Sequence, residues 1–255
     1  MARTERLGGW RAFPLVRWTG LVDSAGHPSL RTVVAAVTGV MMLVDLYLIF
    51  MVAPTDSVLG HVQRVFYFHV PIAIMSFLAF FGVFVASIMY LAKQDQRWDS
   101  VAYAAAEVGV VFVTLALLTG VIWARPIWNT WWTWEPRLTT TMILWLIYVA
   151  YLMIRSYAPN RSKGAMYAAV VGIIGFVDVP IVYYSVVWWR SIHPSPVVGP
   201  LSASNSLDGT MYAILLFSFI TFVLLFVYLV LERMALRNAE DDLGRVRFSL
   251  RRAER

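Results

Sequence analysis

Cysteine is missing altogether from the 255 residues, which excludes disulfides, thiolate metal sites and thiol-exchange chemistry. Charge is scarce as well: Asp, Glu, Lys and Arg make up 14% of the chain, where a soluble domain carries about a quarter. Histidine is limited to His27, His61, His69 and His193. What fills the space is apolar, 60% of all residues. Six stretches, residues 33–52, 70–91, 101–123, 138–154, 165–187 and 210–231, are long enough to cross about 30 Å of hydrocarbon as helices. Backbone groups in lipid must pair within their own segment. The expected fold is therefore all-α, a polytopic membrane protein with six transmembrane helices. Its expected organisation is a basic N-terminal segment over residues 1–30, a membrane domain with an outer-face site over 31–231, and a basic tail over 232–255.

Arg3, Arg6, Arg11 and Arg17 flank no compact apolar core, so no cleavable signal peptide is expected and the first span serves as its own anchor. With both termini on the cytoplasmic side, seventeen of the 21 Lys and Arg residues fall inside and only Arg64, Arg125, Arg137 and Arg190 outside. This positive-inside bias sets the expected orientation. It also accounts for the basic balance without nucleic acid, as a topology signal with some attraction to the lipid membrane.

On that orientation the outer loops gather the unusual residues. The stretch WNTWWTWEPRL, residues 128–138, holds Trp128, Trp131, Trp132, Trp134 and Glu135. Trp128, Trp131, Trp132 and Glu135 are spaced i, i+3, i+4, i+7, which aligns them on one side of a short interfacial helix. Pro136 then disfavours helix at Glu135 and suits the first turn of the next span. Four such rings form either a flat binding platform or an aromatic belt at the interface. Glu135 is either a ligand contact or a carboxylate at a helix N-terminus. His69, in FYFHVP, stands at the outer mouth of span two, where Pro71 marks the first turn. His193, in WWRSIHPSP, follows span five beside Trp188 and Trp189.

Two imidazoles from different loops beside a Trp platform suit bis-histidine ligation of a haem iron; the plain alternative is a pair of solvated or capping loop histidines. The four outer arginines supply cations for propionates, and Arg137 equally suits interface anchoring. Three acids, Asp45, Glu107 and Asp178, fall within spans, where ionisable groups are costly. Each is either support for the outer cavity or a carboxyl bonded to a neighbouring helix.

The blocks DSVLGHVQRVFYFHVP, PIWNTWWTWEPRLT and VPIVYYSVVWWRSIHPSP, in this order, resemble the WWD family of haem-handling proteins of cytochrome c maturation. That family includes CcmC, CcmF and the CcsA-type synthases, and the likeness is greatest to its CcmC branch, from about residue 30 to 231. The resemblance implies haem, b-type and non-covalently bound, at the outer face of the cytoplasmic membrane. It implies His69 and His193 as axial ligands, Trp128, Trp131, Trp132 and Trp134 as the platform, and Glu135, Arg137 and Arg64 beside the haem. Glu135-Pro136 departs from the family's usual Asp-Ala. The implied partners are a CcmE-type haem chaperone, the CcmA/CcmB ABC transporter and CcmD, and the implied role is haem transfer without catalysis. Two alternatives remain: a CcsA- or CcmF-like haem lyase, disfavoured by the lack of a histidine within a span, and a non-haem scaffold of an ABC transporter.

Overall fold

The computed structural model describes residues 29–189, 191–194 and 207–253. His27, Arg190 and nearly all of the expected 1–30 segment lie outside the described residues. The chain is helical, with no strand among the described residues. Six helical stretches are long and apolar enough to cross a membrane: Leu30–Val52, His61–Lys93, Gln96–Trp128, Pro136–Tyr157, Arg161–Trp188 and Gly209–Glu240. The protein is a polytopic, all-α membrane protein, and the spans exceed their expected bounds, by three residues in the first and by nine at one end in the second and the sixth.

The boundaries follow local chemistry. Ser29 caps α1 (Leu30–Tyr47) by accepting from the Thr32 amide, and α1 runs into a π-turn, Leu48–Val52. A 3-10 turn (His61–Val65) leads into α2 (Phe66–Lys93), which ends at Gln94 in the left-handed region. Asp95 then caps α3 (Gln96–Trp128). Glu135 caps α4 (Pro136–Tyr157) and Asn160 caps α5 (Arg161–Phe176). The fifth span breaks at Val177 before α6 (Asp178–Trp188). Pro180 has no N–H to offer the Phe176 carbonyl, so the ladder is interrupted there. The last helix, α7 (Gly209–Ala253), is 45 residues long, roughly 68 Å at 1.5 Å per residue and twice the hydrocarbon thickness. The expected tail at 232–255 is thus, as far as Ala253, an unbroken continuation of span six.

The centre of the bundle lies between α2, α3, α4 and α5. Phe80 of α2 stacks on Tyr148 of α4 with ring centroids 3.7 Å apart. A Cβ at Gly109 would come within 2.7 Å of the Phe80 ring, so α3 can approach α2 this closely only through a glycine. Chain alternation places the starts of α2, α4 and α7 at one end of the bundle, with the ends of α3 and α6. The functional candidates lie at that end.

Two of the three acids within spans, Asp45 and Glu107, bond to a neighbouring helix, whereas Asp178 Oδ2 is buried without a hydrogen-bond partner. Asp45 is fully buried in α1 and accepts from Ser218 Oγ of α7 at 2.8 Å. Glu107 of α3 forms a two-pronged ion pair with Arg233 of α7, Nη2 to Oε1 at 2.8 Å.

Candidate functional site

A cavity of about 280 Å³ opens between α2, α3, α4 and the segment after α6. Its wall is mainly apolar, built from residues such as Val70, Ile74, Phe77 and Leu117, and it includes His69, Trp123, Trp128, Arg137 and His193. Two candidates from separate regions of the sequence, His69 and His193, therefore face one space. Neither Asp45 nor Asp178 belongs to the wall.

His69 is not on a loop. It sits on α2, one turn past Phe66, inside a candidate span. Pro71 deprives the helix of a single bond, to the Tyr67 carbonyl, so α2 begins five residues before it instead of at it. The absence of a histidine within a span, counted above against a lyase, accordingly does not hold. His69 Nδ1 is 2.9 Å from Thr119 Oγ1 of α3. Its ring lies 5.7 Å from that of Trp123, centroid to centroid, at a 60° tilt.

His193 does come from a connecting segment, and a relay of side chains fixes it. Its amide donates to Ser191 Oγ at 3.1 Å, and Ser191 Oγ donates in turn to Glu135 Oε2. The other oxygen of Glu135 accepts from the Leu138 amide at 2.7 Å, the N-cap of α4. Both carboxylate oxygens are thus engaged by protein. Glu135 does not line the cavity; it ties the His193 segment to the start of α4. His193 Nδ1 lies 2.9 Å from the Pro194 carbonyl and 3.2 Å from Arg137 Nη1. Burial, and then the Arg137 guanidinium, lower the His193 pKa to about 4, so its imidazole is neutral at physiological pH, the form that can coordinate a metal.

The tryptophan stretch departs from expectation. Trp128 is the last residue of α3, Asn129 turns into the left-handed region at φ 54°, and residues 129–135 are not helical. A left-handed C-cap followed closely by an extended N-cap at Glu135 leaves no room for a helix between them. The i, i+3, i+4, i+7 alignment is consequently not realised. Only Trp128 of the four rings lines the cavity. Trp131 and Trp134 are 59% and 73% exposed, Trp131 lies under Arg125 at 5.7 Å, and Trp132 meets Trp134 edge-on at 5.7 Å. Trp132 Nε1 is buried without a partner.

Of the other expected cations, Arg64 stands in the 3-10 turn outside the wall, its Nε buried and unpartnered. Arg125 donates to Asn129 Oδ1. Sequence reasoning singled out none of Thr119, Gly120 and Trp123 as site residues. Their spacing, 119, 120 and 123, is one face of a helix, a signal that the apolar run around them conceals.

Among the described residues no group of three or more His, Cys, Asp or Glu could enclose a metal ion. A bare ion held by protein side chains takes three or four such ligands. Two imidazoles facing an apolar cavity, with a guanidinium at its wall, suit instead a metal that arrives with an equatorial ligand and peripheral carboxylates.

The CcmC family, described as "Heme exporter protein C", matches residues 24–247. "Heme exporter protein C" of Bradyrhizobium diazoefficiens is 36% identical over 200 residues, covering 78% of this chain and 75% of that protein. Its namesake in Escherichia coli is 35% identical over 182 residues, 71% of this chain and 73% of that one. A "Putative cytochrome c biosynthesis ccmC-like mitochondrial protein" of Marchantia polymorpha is 30% identical over 187 residues, 73% and 79% of the two chains. A membrane bundle with two imidazoles at one end is what the fold and site define, and the chain belongs to the CcmC family.

Proposed function

We propose that this protein handles haem in cytochrome c maturation, holding it at the outer face of the cytoplasmic membrane and passing it to a CcmE-type chaperone. The observation that carries the reading is the convergence of His69 and His193 on one mainly apolar cavity beside Arg137. Haem is cargo here: it brings the iron that the two imidazoles bind, is held non-covalently as b-type haem, and leaves unchanged. His69 and His193 are the axial ligands, Trp128 and Trp123 flank the porphyrin, and Arg137 meets a propionate. The unpartnered Nε of Arg64 and Nε1 of Trp132 suit groups of the cargo or of a docked partner at the rim. The outer placement rests on the charge bias of the sequence, and the partners CcmA, CcmB and CcmD on membership of the family.

The test is co-purification from a membrane that makes c-type cytochromes. The protein should carry haem with a Soret band, and should lose it to an added CcmE-type chaperone. A haem-free protein under those conditions would favour the scaffold reading. Thioether formation on an apocytochrome by the purified protein would favour the lyase.

A further inference from the structure

Of the two candidate ligands, His69 is held by groups that have no role in the reading above. Its Nδ1 lies 2.9 Å from Thr119 Oγ1. The same hydroxyl lies 2.7 Å from the Leu115 carbonyl and 3.2 Å from the Ala116 carbonyl. Carbonyl oxygens only accept, and a hydroxyl has one hydrogen. Thr119 therefore spends its hydrogen on its own helix and turns a lone pair towards His69. Nδ1 is then the donor to Thr119, with the Ala116 backbone a second hydrogen-bond partner of the ring, and the proton on Nδ1 leaves Nε2 with a free lone pair.

The next residue fixes the position of the ring. A Cβ built on Gly120 would fall 3.1 Å from His69 Cε1 and 3.8 Å from Nδ1. The Cε1 edge of the ring is the part closest to the backbone of α3, and a side chain at position 120 would push it back by a few tenths of an ångström. Gly120 lines the cavity, and Thr119 and Gly120 stand four and three positions before Trp123, whose ring also flanks His69. Three constraints within one turn or so of one helix thus specify the tautomer, the depth and the tilt of an imidazole carried by another.

We infer that Thr119 and Gly120 are positioning residues that set His69 for metal ligation through Nε2, Thr119 by accepting the Nδ1 proton and Gly120 by admitting the ring. This rests on His69 being an axial ligand. Hydrogen bonds from the distal nitrogen orient a ligating imidazole and raise its basicity, and their loss commonly costs ten- to a hundredfold in metal affinity. His193 lacks an equivalent: its Nδ1 is shared between a carbonyl acceptor and a guanidinium donor, which call for opposite tautomers. His69 is accordingly the pre-set ligand of the pair.

The experiment uses the full-length protein loaded with haem in detergent, comparing Thr119→Val, Thr119→Ser, Gly120→Ala and His69→Ala. Thr119→Val preserves shape and removes the acceptor. It should speed haem dissociation about tenfold or more and raise the haem midpoint potential, because a less basic imidazole favours ferric iron less. Thr119→Ser should restore both values. Gly120→Ala should weaken retention and be rescued by exogenous imidazole, which replaces a displaced ring. Wild-type dissociation rate and potential in Thr119→Val, with His69→Ala still altering the spectrum, would overturn the positioning role alone. An unchanged spectrum in His69→Ala would overturn the ligand reading on which it stands.

Discussion

The two ends of the bundle treat polar groups in opposite ways. Away from the cavity, charge is matched by charge within the protein. Arg155 Nη2 lies 2.6 Å from Asp99 Oδ1, Arg233 clasps Glu107, and the Tyr103 ring lies under Arg155 at 4.7 Å and Arg237 at 4.8 Å. At the cavity end, each imidazole is fixed through Nδ1 and the cavity itself is mainly apolar. One end closes its polar chemistry on itself and joins α3, α4 and α7. The other leaves groups available to something from outside the chain. The difference teaches which polar residues serve stability and which serve binding, a distinction that composition does not make.

The largest effect should come from breaking the closed end. Asp99 is 1% exposed, so Arg155→Ala removes its closer partner and leaves a buried carboxylate with only the longer Arg161 contact at 3.9 Å, a loss that approaches the about 3–5 kcal/mol of a broken buried pair. Thermal unfolding in detergent should show this loss while haem per folded protein stays at the wild-type value. A drop in haem content with unchanged stability would erase the contrast between the ends.

The next effect sharpens the cavity end. Trp128 lines the cavity and Trp134 is mostly exposed. Trp128→Ala should weaken haem retention by about 1–3 kcal/mol, the scale of stacking on a flat heterocycle, and Trp134→Ala by much less. Equal losses at both positions, measured as haem per folded protein, would restore the belt reading of the whole stretch. Glu135→Ala comes third. Removal of the α4 cap costs about 1 kcal/mol, and loss of the Ser191 anchor should quicken haem release through a looser His193. Quantitative unfolding together with dissociation kinetics separates the two consequences.

The smallest effect is one of pH. In the haem-free protein the His193 pKa lies at about 4, below the roughly 6.5 of an unfolded chain. Between those values the unfolded state binds the extra proton, so stability falls as pH drops from about 6.5 to about 4 and is indifferent to His193 above that window. His193→Gln should flatten this part of the pH–stability curve, and an unchanged slope would show that His193 is solvated. Thr119 and Gly120 have no titratable group and should leave the slope as it is.

Much of the fold was legible because lipid imposes a length and a composition that are read residue by residue. All six spans were visible as apolar runs, with ends a few residues short because capping residues such as Ser29, Asp95 and Glu135 extend helices past their apolar stretch. The continuation of α7 past residue 232 was hidden by its charge, since a helix outside the membrane needs no apolar run. In the site, His69, His193, Trp128 and Arg137 were legible as scarce residue types near span ends. The periodicity of Trp128, Trp131, Trp132 and Glu135 misled, because the left-handed Asn129 ends the helix after its first ring. Thr119 and Gly120 were illegible for a different reason. Their meaning lies in what α2 brings against them, and no local pattern encodes a contact across fifty positions.

The central claim is that both imidazoles meet one iron. Low-temperature electron paramagnetic resonance of the haem-loaded ferric protein tests it most directly. The wild type should give a low-spin bis-imidazole signal, and His69→Ala and His193→Ala should each convert it to a high-spin signal that added imidazole reverses. A wild-type low-spin signal in either single variant would contradict the account.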